Sequence, residues 1–441
     1  MKKYQRLLAC LLMVSATLTA TAEDEQPLST QEVMTTAEKV TDYFLSHYPD
    51  VGADSHVGGK TRNSRIWTRG VFYEGLLNMY REQPHEAWLK YALDWGEFHQ
   101  WYSCTDSQRR HADFQCCGQA YLQLFMMDST QTKRMEHIKM RIDDMMATDK
   151  IDDWYWIDAI QMAMPLFAQL GTITGNTAYW DRMYQMYTFT RNKHGGEKKG
   201  GGKPLFNEQT GLWYRDYQFD PPYRDKVETD KDCYWSRGNG WVFMALSRIL
   251  QFTDDNDTHR SQYIADFQAM SKALKDCQRQ DGSWNVSLAA PTNYGQAGSE
   301  GPEMTGTSLF TGGLAYGVRS GLLDAETYLP TIEDGWQAMH RAVHDDTGFI
   351  GWLQGAGSKP EDGGVITYNS VPDFEDFGFG CWLWGAAEVH ALAAQQESIT
   401  NGIRNVTNTN VSTDYYDLSG RRVVSPAKGH LYIRGGKKVI Y

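Results

Sequence analysis

The sequence is poor in positive charge, in cysteine and in long apolar runs. Over 441 residues it has 43 Lys+Arg against 55 Asp+Glu, a formal charge of −12. No basic field exists to gather phosphates, which argues against a general nucleic-acid or membrane-surface binder. An anionic small substrate needs only one or two local cations and stays open. The 7 cysteines show no metal-ligand spacing. Cys116 and Cys117 are adjacent and poorly placed to bond each other. The cysteines after Cys10 read as small buried hydrophobes, although an exported chain could pair some of them. HExxH, P-loop and GxSxG motifs are missing. Gly238-Asn239-Gly240 lacks the strand and third glycine of a dinucleotide loop, and the 12 histidines form no metal cluster. No metal and no cofactor is expected.

The first residues read as a signal peptide. Lys2, Lys3 and Arg6 precede a short apolar stretch, Leu7 to Leu18, and Ala20-Thr21-Ala22 is a small-x-small cleavage site. A periplasmic or extracellular chain is the expectation. Leu7-Leu8-Ala9-Cys10 has the form of a lipoprotein box, but the brevity of its apolar run disfavours anchoring. No later stretch reaches the length of a membrane span. The expected division is a signal peptide over 1–22, a main domain over 23–406, and a linker with a small β-rich tail over 407–441.

Aromatic residues are abundant: 15 Trp and 25 Tyr. Such a surplus fits a large core, or a cleft that stacks flat sugar rings. Apolar i, i+3, i+4 spacing with Gly, Pro and Asp punctuation predicts helices near 30–48, 67–81, 86–101, 113–126, 132–149, 155–172, 178–193, 238–252, 259–280, 304–322, 327–345 and 376–396. Alternate helices carry glycine beside large apolar residues, as in Gly70 to Leu76, Gly312-Gly313 and Gly378 to Trp382. Glycine weakens a helix, so its recurrence implies close helix packing. Alternating inner and outer helices describe an all-α (α/α)6 toroid, with an open α-solenoid as the competing arrangement. The stretch 194–234 is an irregular insertion that opens on a glycine-rich run, either a surface loop or one facing substrate. In the tail, Tyr415-Tyr416, Leu431 to Arg434 and Lys438 to Ile440 predict two or three short strands.

In a toroid the inner helices run parallel, so their N-termini open at one end. The polar oddities fall at those starts: Trp67-Thr68-Arg69, His111-Ala112-Asp113, Trp156-Ile157-Asp158, Trp235-Ser236-Arg237, Glu303 to Thr307, and Asp376. Asp158 sits amid Trp154, Tyr155 and Trp156. Desolvation there should favour its protonated form, and a neighbouring Asp113 should favour it further, the profile of a general acid. Asp158 could equally stabilise only its own first turn, and Asp113 could be only an N-cap. Pro165 on the same helix removes a backbone donor. Arg237, near Trp235 and Trp241, suits a carboxylate or, alternatively, cation–π packing. Glu303 and Thr307 read as helix caps, and His111 as a residue at the edge of the site.

Arg69 to Leu76, Trp156-Ile157-Asp158 with Met162 to Pro165, Trp235-Ser236-Arg237-Gly238-Asn239-Gly240-Trp241, Glu303 to Phe310 and Asp376 to Gly380 together resemble the unsaturated rhamnogalacturonyl hydrolases, glycoside hydrolase family 105, related to the unsaturated glucuronyl hydrolases of family 88. The resemblance implies an (α/α)6 barrel without metal and an oligosaccharide substrate ending in a 4,5-unsaturated uronic acid. An acidic residue protonates C4 of the vinyl ether, water adds at C5, and the hemiketal opens to release the neighbouring sugar. By position Asp158 matches the acid/base residue and Asp113 the second active-site Asp. Trp235, Arg237 and Trp241 match residues lining the sugar site, and Trp67 and Arg215 join them as expected substrate contacts. Arg215 departs from the histidine of the best-known branch. A lyase or isomerase on the same toroid and a non-catalytic glycan-binding protein are the rival expectations.

Overall fold

The structure is a computed structural model that describes residues 28–57, 60–219, 232–289, 302–360, 362, 366–370 and 376–408, together with short stretches between 415 and 440. The predicted signal segment, with Cys10, lies outside the described residues, as do residues 220–231 of the irregular insertion 194–234.

Two concentric sets of helices form the body. The inner set is α2 (Trp67–Glu82), α4 (Ala112–Gln115) continued by α5 (Cys117–Met127), α7 (Asp158–Thr174), α9 (Ser236–Phe252), α11 (Met304–Arg319) and α13 (Asp376–Asn408). The outer set is α1 (Thr30–His47), α3 (Glu86–Phe98), α6 (Lys133–Met146), α8 (Ala178–Lys193), α10 (Arg260–Asp276) and α12 (Ala325–Ala342). Each inner helix packs on the next, and α13 returns to pack on α2, so the ring closes. That closure makes the chain an (α/α)6 toroid and removes the solenoid alternative.

Burial follows the sequence pattern. Every residue of α2 from Thr68 to Met79 is buried, as expected for a helix enclosed on all sides. Outer α6 buries one stripe, Ile138, Arg141, Ile142 and Met145. The glycines of the inner set serve close approach. A Cβ on Gly75 would stand 2.2 Å from the Gly380 carbonyl oxygen, and one on Gly380 2.4 Å from that of Val71. The backbones of α2 and α13 therefore meet where a side chain could not fit. The same two helices are joined at their N-terminal ends by Arg69 Nε and Asp376 Oδ2 at 2.6 Å, each side chain 1% exposed.

Two features were not foreseen. Short antiparallel hairpins stand between helices: β1 (Ser55–Val57) with β2 (Lys60–Arg62), and β3 (Phe206–Asn207) with β4 (Leu212–Trp213). Among the described residues the tail holds four strands rather than two or three: β5 (Tyr415–Tyr416), β6 (Arg422–Val423), β7 (Leu431–Arg434) and β8 (Lys437–Ile440), paired antiparallel in the order β6-β5-β7-β8. Strands of two residues are too short for alternation to reveal them. Cys104, Cys116, Cys117, Cys233 and Cys381 are buried and Cys277 is half-buried, and no two of these six described cysteines are bonded to each other.

Candidate active site

The N-terminal ends of three inner helices converge on a cavity of about 170 Å³ lined by Trp67, Asp113, Trp156, Asp158, Met162 and Arg215, with Arg62, Ala356 and Gly357 completing it. Local structure explains each placement. Asp158 is the first residue of α7. Arg215 belongs to the stretch after β4, held from two sides. Its carbonyl accepts from Ile157 N at 2.9 Å. Two residues earlier, the Asn239 side chain accepts from Trp213 N at 2.8 Å and donates to Trp213 O at 3.0 Å, pairing with that backbone as a strand would. Asn239 thus docks the irregular insertion onto α9, and the insertion delivers Arg215 to Asp158.

Arg215 Nε lies 3.1 Å from Asp158 Oδ2, and its Nη1 lies 2.6 Å from Asp216 Oδ2. The carboxyl that its surroundings push up is Asp113, to about 7. Burial is the main cause and the nearby Asp158 charge the second, with Arg215 and Arg62 opposing both. Like charges that share a dry site resist double ionisation. Asp113 is not an N-cap. His111 takes that position, its Nδ1 accepting from Asp113 N at 3.3 Å, while its ring packs 5.1 Å from that of Trp156. Burial, with Arg62 and Lys199 nearby, lowers the His111 pKa. Lys199, from the glycine-rich run, sits 3.5 Å from the ring centre of Tyr155, so that run lies against the aromatic segment leading to Asp158.

Below the cavity the ring interior is polar. Arg248 Nη1 lies 2.6 Å from Glu74 Oε2, Gln161 Nε2 donates to the same oxygen at 2.9 Å, and the Cys116 thiol donates to Oε1 at 3.2 Å. Burial pushes Glu74 up to about 7 against these partners. Pro165 leaves the Gln161 carbonyl without its usual helical donor. Gln119 Nε2 supplies one from α5 at 2.6 Å.

Trp235, Arg237 and Trp241, expected in the sugar site, stand behind the cavity rather than in its wall. Arg237 is 1% exposed. Its Nη1 and Nη2 donate to the carbonyls of Gln354 and Gly355 at 2.9 and 2.8 Å, and its guanidinium lies 4.5 Å from the Trp235 ring centre and 4.9 Å from that of Phe377. Trp235 Nε1 donates to Gln354 Oε1 at 2.9 Å, and Gln354 Nε2 donates to carbonyls of Lys359, Pro360 and Asp362. Arg237 and Trp235 therefore brace the loop that carries Ala356 and Gly357 to the cavity. Trp241 is buried, 6.1 Å edge-on to Trp67. The physical reason is helix phase: Trp235 caps α9, Arg237 is its second residue and Trp241 lies about one turn further in, and successive helical positions point into packing as readily as into the mouth. Glu303 is a cap, accepting from Thr305 N and Gly306 N. Arg62 was missed. It sits in a short hairpin without a motif, and only its position among charges marked its chemistry.

The sequence pattern of Glycosyl Hydrolase Family 88 matches residues 36–393, most of the chain. The chain belongs to that family. It is 30% identical over 346 residues, 74% of this chain and 84% of the relative, to an unsaturated 3S-rhamnoglycuronyl hydrolase of Formosa agariphila. A second protein of that description, from an Alteromonas species, is 26% identical over 75% of this chain and 78% of its own. Among solved structures, a family 88 glycosyl hydrolase from Bacteroides vulgatus superposes with a TM-score of 0.71 at 28% identity, covering 82% of this chain and 99% of that one. A structure described as a polysaccharide lyase superposes equally well, at 0.71 and 26% identity over 84% and 98%. This chain is thus a carbohydrate-active enzyme of family 88. Among the described residues no helix is long and apolar enough to cross a membrane.

Proposed function

We propose that this enzyme removes a 4,5-unsaturated uronic acid from the non-reducing end of an oligosaccharide by hydrating its double bond. The observation that carries this reading is the pairing of Asp113 and Asp158 in one small cavity beside Arg215. A coupled pair of carboxyls titrates as a unit. With Asp113 pushed up to about 7, the pair retains a proton near neutrality. That proton goes to C4, where Asp158 acts as the acid, and the developing positive charge at C5 is stabilised by the carboxylate character of the pair. Water adds its oxygen at C5 and returns a proton to the pair. The C5 hemiketal then opens to a ketone by breaking the ring C5–O5 bond, and the hemiacetal this leaves at C1 collapses to an aldehyde, freeing the neighbouring sugar. Arg62 makes neither an ion pair nor a side-chain hydrogen bond with the described residues. It is the cation free to take the uronate, since Arg215 is already bonded to Asp158 and Asp216. Trp67 and Trp156 supply flat apolar walls for the ring. The names of both curated relatives and the Bacteroides structure support this reading.

The likeness to a polysaccharide lyase favours a second reading, β-elimination on the same toroid. Ultraviolet absorbance separates the two. Incubated with lyase-generated oligosaccharides, the hydrolase consumes the unsaturated chromophore and frees a sugar, whereas a lyase acting on saturated uronates creates absorbance. Asp158→Asn is expected to fold and to lose more than about a hundredfold in turnover; retained activity would remove Asp158 from the acid's role.

A further inference from the structure

A larger cavity, about 770 Å³, opens among Trp352, Tyr368, Arg279, Asp281, Arg341 and Asp345. One wall is aromatic. The rings of Trp352 and Tyr368 lie 4.8 Å apart at 52°, and His344 stacks on Tyr368 at 3.9 Å. Trp352 has a positive φ, 55°. That conformation is costly for a bulky residue and persists only where surroundings impose it. Here they do: Trp352 N donates to Thr367 O at 3.0 Å, and Trp352 O accepts from Met304 N at 2.9 Å at the start of α11. The backbone of Trp352, whose side chain lines the cavity, is thus held from both sides.

The same lining carries two arginines and two aspartates, of which one arginine is left without a carboxylate partner among the described residues. Asp281 is paired with Arg279 at 3.0 Å, and Asp345 with Lys39 at 3.2 Å. Arg341 is exposed and donates once, from Nη2 to the Asp281 carbonyl at 2.6 Å; among the described residues no carboxylate pairs with it. An aromatic pair and a guanidinium with free donors in one cavity match a sugar ring bearing an anionic group. The site is also tied to the catalytic cavity. Trp352 lies four residues before Ala356, which lines that cavity, and four residues of chain span at most about 14 Å.

We infer that this cavity is a second glycan-binding site, which holds an anionic sugar residue further along the same oligosaccharide. The anionic group is a carboxylate or a sulfate ester. The inference rests on the glycan reading of the catalytic cavity, but its readout is binding and not turnover. The full chain carrying Asp158→Asn is titrated calorimetrically with three tetrasaccharides: one sulfated and free of uronate, one with uronates and no sulfate, and one neutral. Arg341→Gln, a surface change expected to leave the melting temperature unaltered, should weaken binding of an anionic tetrasaccharide about tenfold and leave the neutral one unaffected. Tyr368→Ala should weaken the anionic ones as well. Arg341→Lys should recover part of the affinity. A loss confined to the sulfated or to the uronate ligand supports the site and names its anion. Equal affinity of Arg341→Gln and its parent for both anionic ligands overturns the inference, as does failure of the parent to bind either. If Arg341-dependent binding persists while the wild-type chain consumes no unsaturated substrate, only the catalytic proposal falls.

Discussion

Arg215 Nε stands 3.1 Å from Asp158 Oδ2, although the two residues are 57 positions apart and neither lies in a strand. The contact exists because an irregular stretch is hydrogen-bonded to the start of α7 through Ile157 and to α9 through Asn239. A cation so placed sets the charge balance of both carboxyls in the cavity.

Removing that cation should therefore move the pH profile. Arg215 holds the Asp113 carboxyl down, so Arg215→Ala should let it rise above about 7. If turnover needs the proton kept by the pair, the alkaline limb of kcat shifts to higher pH, by about one unit, while kcat at its optimum falls. An unchanged limb would show that the proton held by the Asp113–Asp158 pair is not the working one. Arg215→Lys should restore much of the original limb.

The raised carboxyl also makes stability depend on pH. Asp113 rises from 3.8 to about 7, so between those values the folded chain binds a proton that the unfolded chain has released. Stability then falls as pH rises through that window, by up to about 1.4 kcal/mol per unit from this group. Asp113→Asn should gain stability relative to wild type from pH 4 to 7. Urea unfolding at several pH values reads the difference directly; parallel curves would contradict it.

The Glu74–Arg248 pair offers a test of the ring interior. Arg248→Met leaves the Glu74 carboxyl buried without its cation, which should destabilise by about 3–5 kcal/mol at pH 8. Because burial already pushes Glu74 to about 7, it is protonated at pH 5, and the penalty there should shrink. Adding Glu74→Gln to Arg248→Met should recover stability at pH 8. Melting temperatures at the two pH values decide this.

Gly380→Ala tests ring closure. The added Cβ would meet the Val71 carbonyl oxygen at 2.4 Å, a backbone atom that cannot swing aside. Overpacking of this kind typically destabilises by about 1–3 kcal/mol. Calorimetry should show a lowered melting temperature, whereas Ala393→Gly, further along the same helix, should show only a propensity effect of about 1 kcal/mol and the loss of one methyl contact.

The helices were legible because their signal is local. The expected 178–193 coincides with Ala178–Lys193, and 67–81 falls one residue short of Trp67–Glu82. Glycines predicted closeness, and Gly75 against Gly380 shows it. The site was legible in part. Asp113, Asp158, Trp67 and Arg215 do share a cavity. Trp235, Arg237 and Trp241 carry an equally distinctive motif, yet Trp235 and Arg237 brace the loop behind it and Trp241 packs edge-on to Trp67. A motif records that residues are needed together and is silent on which way each side chain points.

By itself the sequence determined the all-α class, the alternation of enclosed and half-exposed helices, and the two carboxyls at helix starts, because periodicity and composition act within a few turns of chain. Only the tertiary structure decided that Arg215 meets Asp158, that Asp113 bears the raised pKa, and that Arg237 turns inward. Each of those depends on charges and packing brought together from distant segments, and electrostatic energy depends on separation in space rather than along the chain.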